Sequence, residues 1–158
     1  MNVIVAVDEN WGIRKDGEQL IYISADLKRF KALTMGHSLV LGRKTLATFP
    51  GGKPLKGRRN LILSRNPEFA PEGAEVYHSL EELLEHVEED AFVIGGASVY
   101  KELLSRCDTA YVTKLQASWP ADCWFPNLDE DPAWTVTEEG EPLEEQGIPF
   151  RYVTYRRA

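Results

Sequence analysis

The sequence predicts an α/β domain built on a mostly parallel sheet, and three observations carry that prediction. Short apolar, β-branched runs alternate with segments of helical periodicity as far as Cys107, the pattern of βαβ units whose crossovers cover a parallel sheet. Two of those runs end in glycine and pass directly into a helical segment, at Leu41-Gly42-Arg43 and Ile94-Gly95-Gly96. Beyond Cys107 the alternation stops, and strand-like runs separated by proline-rich and acidic loops add antiparallel strands at one edge. At 158 residues, the chain 1–158 reads as a single domain that buries about two-thirds of its unfolded surface.

Taken in order, residues 2–7 form a short β-branched run that reads as a buried strand. Residues 8–19 hold two glycines and six charged side chains and read as a loop, long enough to be functional. A helix follows, with Ser24 as N-cap and Gly36 as its stop. Its apolar stripe is Leu27, Phe30 and Leu33. A strand over 38–41 closes at Gly42, and a helix over 43–49 is stopped by Pro50-Gly51-Gly52. Strands over 59–63 and 74–77 precede Ser79-Leu80-Glu81-Glu82, which has the form of a capping box for a helix to about residue 88. A buried strand over 91–94, a helix over 97–104, and strands over 109–115, 134–137 and 150–155 complete the chain. There are no repeats, linkers or low-complexity segments.

Charge is distributed unevenly. The net charge is −7, yet residues 27–67 contain no Asp or Glu and hold 10 of the 18 basic residues. A one-sign segment in an acidic protein suits a small anionic ligand with several charged groups. It does not suit a nucleic acid: few aromatics are available to stack bases, and the remaining surface repels a polyanion. Cys107 and Cys123 have no metal or redox spacing, and His37, His78 and His86 are scattered, so neither a disulfide framework nor a zinc site is expected. Asp8-Glu9 interrupts the first apolar run and no basic segment precedes it, so no signal peptide or membrane span is expected, and the expected location is cytoplasmic. With no obvious extra apolar surface, a monomer is the default.

Asp26 is the most informative carboxylate. At about 100° per residue it falls between Phe30 and Leu33, inside the apolar stripe. A core-facing acid is costly unless paired, ligand-bound or protonated. The competing role is a first-turn acid that complements the helix dipole.

The two glycine junctions share a logic. Glycine lets a ligand approach the backbone, and the free N–H groups of a helix start receive anionic oxygens. Two such starts on neighbouring parallel strands suit a pyrophosphate, although tight βα turns need glycine for geometry alone. Neither a GxGxxG nor a Walker A motif is present. Ser64-Arg65, at the end of the next strand, suits one further phosphate. Arg58, in Pro54-Leu55-Lys56-Gly57-Arg58, has the planar fork that matches a carboxylate; an ordinary exposed basic turn is the alternative.

The ordered set I-V-A-V, the helix with Asp26 and Phe30, L-G-R-K-T, P-L-K-G-R, I-L-S-R, V-I-G-G-A-S-V-Y and D-C-W-F-P resembles dihydrofolate reductase of the bacterial chromosomal type over essentially the whole chain. The resemblance implies a mostly parallel eight-stranded sheet with about four flanking helices. It implies NADPH-dependent reduction of dihydrofolate, with hydride added at C6 and a proton at N5, and no metal. Asp26 matches the acid that bonds the pterin 2-amino group and N3, and Thr113 the hydroxyl that bonds that acid. Val5, Ala6, Leu27, Phe30, Phe49, Leu55 and Ile94 match the folate pocket, and Arg58 the holder of the glutamate α-carboxylate. Ala6, Ile13, Gly42, Arg43, Lys44, Thr45, Leu63, Gly95, Gly96, Ala97, Ser98, Val99 and Tyr100 fall on the cofactor side. Ser64 and Arg65, with Arg43 or Lys44, match the receiver of the 2′-phosphate that distinguishes NADPH from NADH.

The departures lie mostly before the acid. Gly12-Ile13-Arg14 stands where the family usually reads G-I-G, and Gln19-Leu20-Ile21 where it reads L-P-W. Ser24 replaces a common proline, and Ala121-Asp122-Cys123 a usual Gly-Asp-Thr. Two other readings use the same features: an NADPH-dependent pyrimidine reductase of riboflavin synthesis, which needs no acid at Asp26 and no fork at Arg58, and a non-catalytic nucleotide-binding module.

Overall fold

The computed structural model describes residues 1–158. The main sheet runs β10-β12-β8-β1-β7-β4-β5-β6, with β11 paired to β12. Its parallel part comprises β1 (Asn2–Val7), β4 (Ser38–Gly42), β5 (Arg59–Leu63), β6 (Glu75–Tyr77), β7 (Phe92–Gly95) and β8 (Thr109–Leu115). The antiparallel edge is β10 (Trp134–Glu139), β11 (Leu143–Glu145) and β12 (Ile148–Arg157). All eight strands read from the sequence are present. The helices are α1 (Ser24–Thr34), α2 (Arg43–Leu46), α3 (Leu80–His86) and α4 (Ala97–Leu103).

The central strands are apolar on both faces because both are covered. Val3, Val5, Val40, Leu61 and Val93 face a cluster with Val99, Tyr100 and Leu103 of α4 and Leu83 of α3. Ile4, Leu39, Leu41, Ile62, Phe92 and Ile94 face the opposite side, against Phe30 and Leu33 of α1. Ser79 accepts the Glu82 N–H at 3.1 Å, so the α3 cap forms as its sequence indicates.

Three expectations are corrected. The stretch 8–19 is not wholly loop: β2 (Gly12–Lys15) and β3 (Glu18–Gln19) form a hairpin, extended by β9 (Cys123–Trp124). Its turn is Asp16-Gly17, both at positive φ, the two-residue geometry that Asp-Gly favours. Second, α2 ends at Leu46 rather than residue 49, and a separate 3₁₀ turn follows at Pro50–Gly52. Third, Ser24 does not cap α1. Ile23 is the N-cap and offers no side-chain bond. The carboxylate of Glu145, beside the β11–β12 turn, accepts instead from Ser24 N (2.6 Å), Ser24 Oγ (2.8 Å) and Ala25 N (3.1 Å). Those bonds hold Glu145 below the usual carboxylate range. Gln146 Nε2 donates to the Tyr22 carbonyl at 2.8 Å, so a distant hairpin clasps the start of α1.

Candidate active site

From β1 the chain moves outward through β4, β5 and β6, then returns to place β7 and β8 on either side of β1. Ligand crevices in open α/β sheets form at such reversals, outside the carboxyl ends of the strands. β1 and β7 pair only at Asn2↔Phe92 and Val3↔Val93, whereas β1 remains paired with β8 as far as Val7↔Lys114. The gap opens into a cavity of about 550 Å³ lined by 20 residues, 11 of them hydrophobic. Apolar walls with a few placed polar groups are what a small-molecule site requires.

The cavity brings together every residue assigned to the folate pocket. Val5 and Ala6 come from β1, Ile94 from β7, Leu27 and Phe30 from α1, and Phe49, Leu55 and Arg58 from the segment between β4 and β5. Asp26 and Thr113 also line it, with Ile13, Thr45 and Tyr100 from the cofactor set. Ile4, Arg14, Gln19, Tyr22, Lys31, Thr48 and Pro50 line it too and were not assigned. Lys31 was accessible to reasoning, since it stands one turn beyond Leu27 on the same helix. Tyr22 depends on the Gln146 clasp, which no local pattern announces. Ile21 is not in the lining; it packs with Ile23, Leu115 and Phe150 in a third apolar cluster.

Asp26 is half-buried, and Thr113 Oγ1 donates to its Oδ1 at 2.5 Å. Burial raises its carboxyl above the ordinary value, against the Thr113 bond and the positive charge of Arg29, while Glu145 adds to the rise. The capping role is filled by Glu145, which leaves Asp26 free for the cavity. Opposite, the buried Tyr100 hydroxyl donates to the Ile4 carbonyl at 2.8 Å, and burial raises its pKa far above the usual tyrosine value.

Arg58 is not an ordinary exposed turn residue. Its Nε donates to the Lys56 carbonyl at 3.0 Å and its Nη1 to Thr34 Oγ1 at 3.2 Å, and Thr34 in turn donates to the Phe30 carbonyl at 2.7 Å. One proton on Nη1 and both on Nη2 remain for a ligand. Burial lowers the guanidinium's pKa without approaching neutrality.

The remaining cofactor-side residues lie outside this cavity lining but are adjacent to one another. β4 and β7 are parallel neighbours, with Leu41 opposite Gly95. A Cβ at Gly42 would lie 3.2 Å from Val99 Cγ2, and Thr45 Oγ1 stands 3.4 Å from where Gly96 would carry one. Gly95 has φ +125°, a conformation that favours glycine, and the Gly95–Gly96 peptide is cis. In the neighbouring pair, Gly42 is opposite Leu63, so Arg43-Lys44 and Ser64-Arg65 emerge side by side. Ala97 and Ser98 open α4 beside them.

Residues 1–157 match the family model described as Dihydrofolate reductase. The dihydrofolate reductase of Bacillus subtilis (strain 168) is 33% identical over 154 residues, covering 96% of this chain and 90% of that one. The dihydrofolate reductase of Mycobacterium leprae (strain TN) is 40% identical over 153 residues, covering 92% and 91%. Among solved structures, Enterococcus faecalis dihydrofolate reductase complexed with NADP(H) and RAB-propyl superposes with a TM-score of 0.87 at 34% identity, covering 99% of this chain and 95% of that one.

Proposed function

Because the chain belongs to the dihydrofolate reductase family, we propose how its own residues carry out the NADPH-dependent reduction of 7,8-dihydrofolate to 5,6,7,8-tetrahydrofolate. The protein is an NADP-dependent oxidoreductase acting on the CH–NH group of donors, and a pyrimidine reductase or a purely nucleotide-binding role is not favoured. The single observation that carries the site assignment is Asp26: a half-buried carboxylate fixed by Thr113 at the floor of an apolar cavity.

The residues present fit NADPH. At Gly42 a Cβ would crowd Val99 Cγ2 at 3.2 Å, and Gly95 has a positive φ of +125° that favours glycine, while Arg43, Lys44 and Arg65 supply cations at adjoining strand ends. When bound, NADPH supplies the hydride. The protein's task is alignment and charge. Asp26 accepts from the pterin 2-amino group and N3 and favours the cationic, N5-protonated pterin. Thr113 holds the carboxylate by donating to Oδ1. Leu27, Phe30, Phe49 and Leu55 enclose the apolar middle of the substrate and exclude water. Val5, Ala6 and Ile94 border the ring, and Ile13 closes the cavity from the β2 side. The N5 proton arrives from water.

Residues 1–158 act as one catalytic unit, as a monomer, in the cytoplasm. No helix is long and apolar enough to cross a membrane. Loss of NADPH absorbance on adding dihydrofolate, and not on adding the pyrimidine substrate of riboflavin synthesis, is the expected result; turnover of the pyrimidine alone would reassign the pocket.

Arg58 gives a separate prediction. Replacing it by Lys keeps the charge but loses the fork, so KM for dihydrofolate should rise about tenfold or more. The kcat should change little, because the contact is remote from the reacting atoms. A steady-state titration checks this. Unchanged KM in Arg58→Lys would remove Arg58 from carboxylate recognition.

A further inference from the structure

Arg29 is half-buried and makes no hydrogen bond or ion pair; its partners are two aromatic rings. Its guanidinium carbon lies 4.0 Å from the centre of the Tyr152 ring and 6.0 Å from that of Tyr111. Placing a cation on a tyrosine face is favourable, most of all where water is partly excluded. Residues 26 and 29 are three apart in α1 and therefore share a side of the helix. The sheet below presents a matching pair. Thr113 of β8 and Tyr152 of β12 are direct partners across the antiparallel ladder; Thr113 bonds Asp26, and Tyr152 holds Arg29.

We propose that Arg29 is a positioning residue for Asp26: held on the Tyr152 ring, its guanidinium keeps the half-buried Asp26 carboxylate ionised and bound to Thr113 through the working pH range. This rests on the assignment of Asp26 to the pterin, and it adds the group that sets the charge of that acid.

The charged and titratable groups around the pair come from every element packed against it. Asp26 is faced by Thr113 of β8, Arg29 of its own helix, Tyr100 of α4, Tyr152 of β12, and Glu145 at the end of β11. Arg29 is faced by Asp26, Tyr152, Tyr111 and Glu138 of β10. Glu145 opposes ionisation of Asp26, but its carboxylate is spent on the Ser24 and Ala25 donors. Arg29 is the cation of this group, and its charge works against the burial of Asp26.

Arg29→Met keeps most of the stem volume and removes the charge; Arg29→Lys restores charge without the planar stack; Tyr152→Leu removes the platform. The first readout is the ¹³C carboxyl titration of Asp26 in the free protein, which needs neither substrate nor cofactor. Its midpoint should move to higher pH in Arg29→Met, move less in Arg29→Lys, and move in the same direction in Tyr152→Leu. The second readout is the pH–rate profile. Removing the Arg29 charge lets the coupled Asp26–pterin pair hold its proton to higher pH, so one pH unit above the parent's alkaline midpoint Arg29→Met should retain about threefold more of its plateau rate than the parent. An unmoved Asp26 titration in folded Arg29→Met, or in Tyr152→Leu if the first variant does not fold, would reduce Arg29 to a packing residue and overturn the proposal. A shifted titration with an unmoved rate profile would keep the electrostatic link and instead count against Asp26 as the pterin acid.

Discussion

Asp26→Asn should lose hydride transfer by about 100-fold or more at pH 7.5, the scale on which a single charge-stabilising group acts. The loss should shrink as pH falls. Asparagine keeps the shape and still accepts from Thr113 Oγ1, which meets Oδ1 at 2.5 Å, but it removes the negative charge that favours the protonated pterin. Solution protons then have to supply the cationic substrate, so the variant should regain activity on the acid side while the parent gains proportionately less. Stability gives an independent check. Burial raises the Asp26 carboxyl above its unfolded value, so its contribution to stability is fully present below the unfolded pKa and is lost as pH rises through the folded one. Asp26→Asn should therefore equal or exceed the parent's melting temperature at pH 7, and the difference should narrow towards pH 4. The helix-dipole role predicts the opposite, near-normal turnover with a loss of about 0.3–1 kcal/mol. The Glu145 carboxylate already occupies the free donors at Ser24 and Ala25, which leaves that role little to explain. Full turnover by Asp26→Asn at pH 8 would end the catalytic assignment.

What the sequence made legible follows the range of the interactions involved. The central strands were readable because they are short apolar runs buried on both faces, as in Leu39, Val40 and Leu41, and α3 because Ser79 and Glu82 lie three residues apart. The Asp16-Gly17 turn was equally local, and its positive φ pair shows that the hairpin signal stood inside what reads as an irregular loop. The capping of α1 was not legible, because its acceptor is Glu145, 121 residues from Ser24, and Ser24 itself has the chemistry of a cap. The same distance separates signal from cause in the site. Asp26 stood out by its place on the helical wheel, whereas the bond from Thr113 spans 87 residues, and the Arg29 stack depends on β12 lying beside β8. The Gly42 and Gly95 junctions were visible as two turns; that they face each other follows from β4 and β7 being neighbours, which only the strand order decides.

Selectivity for NADPH over NADH should collapse in Arg65→Ala. Gly42 and Leu63 are register partners at the ends of parallel strands, so Arg43, Ser64 and Arg65 leave the sheet at one place. Ser64 is buried, and its backbone is braced on both sides: its N–H donates to the Tyr77 carbonyl at 3.0 Å, and its carbonyl lies 2.8 Å from His78 Nδ1. Its hydroxyl oxygen accepts from the Asn66 N–H at 3.3 Å, which leaves the hydroxyl proton for a phosphate oxygen. Arg43, Lys44 and Arg65 are exposed, so each contact is weakened by solvent and falls at the lower end of the roughly 1.5–3 kcal/mol typical of bonds to charged groups. That corresponds to about a tenfold loss of NADPH affinity for Arg65→Ala, with NADH affected about twofold at most, since it lacks the doubly charged 2′-phosphate. Arg43→Ala should act in the same direction, and the double variant should lose less than the product of the two, because both side chains address one phosphate. Added salt should reproduce the pattern in the parent, weakening NADPH and sparing NADH. Fluorescence titrations with the two nucleotides at two ionic strengths decide it: equal losses for NADPH and NADH in Arg65→Ala would remove Arg65 from the 2′-phosphate site.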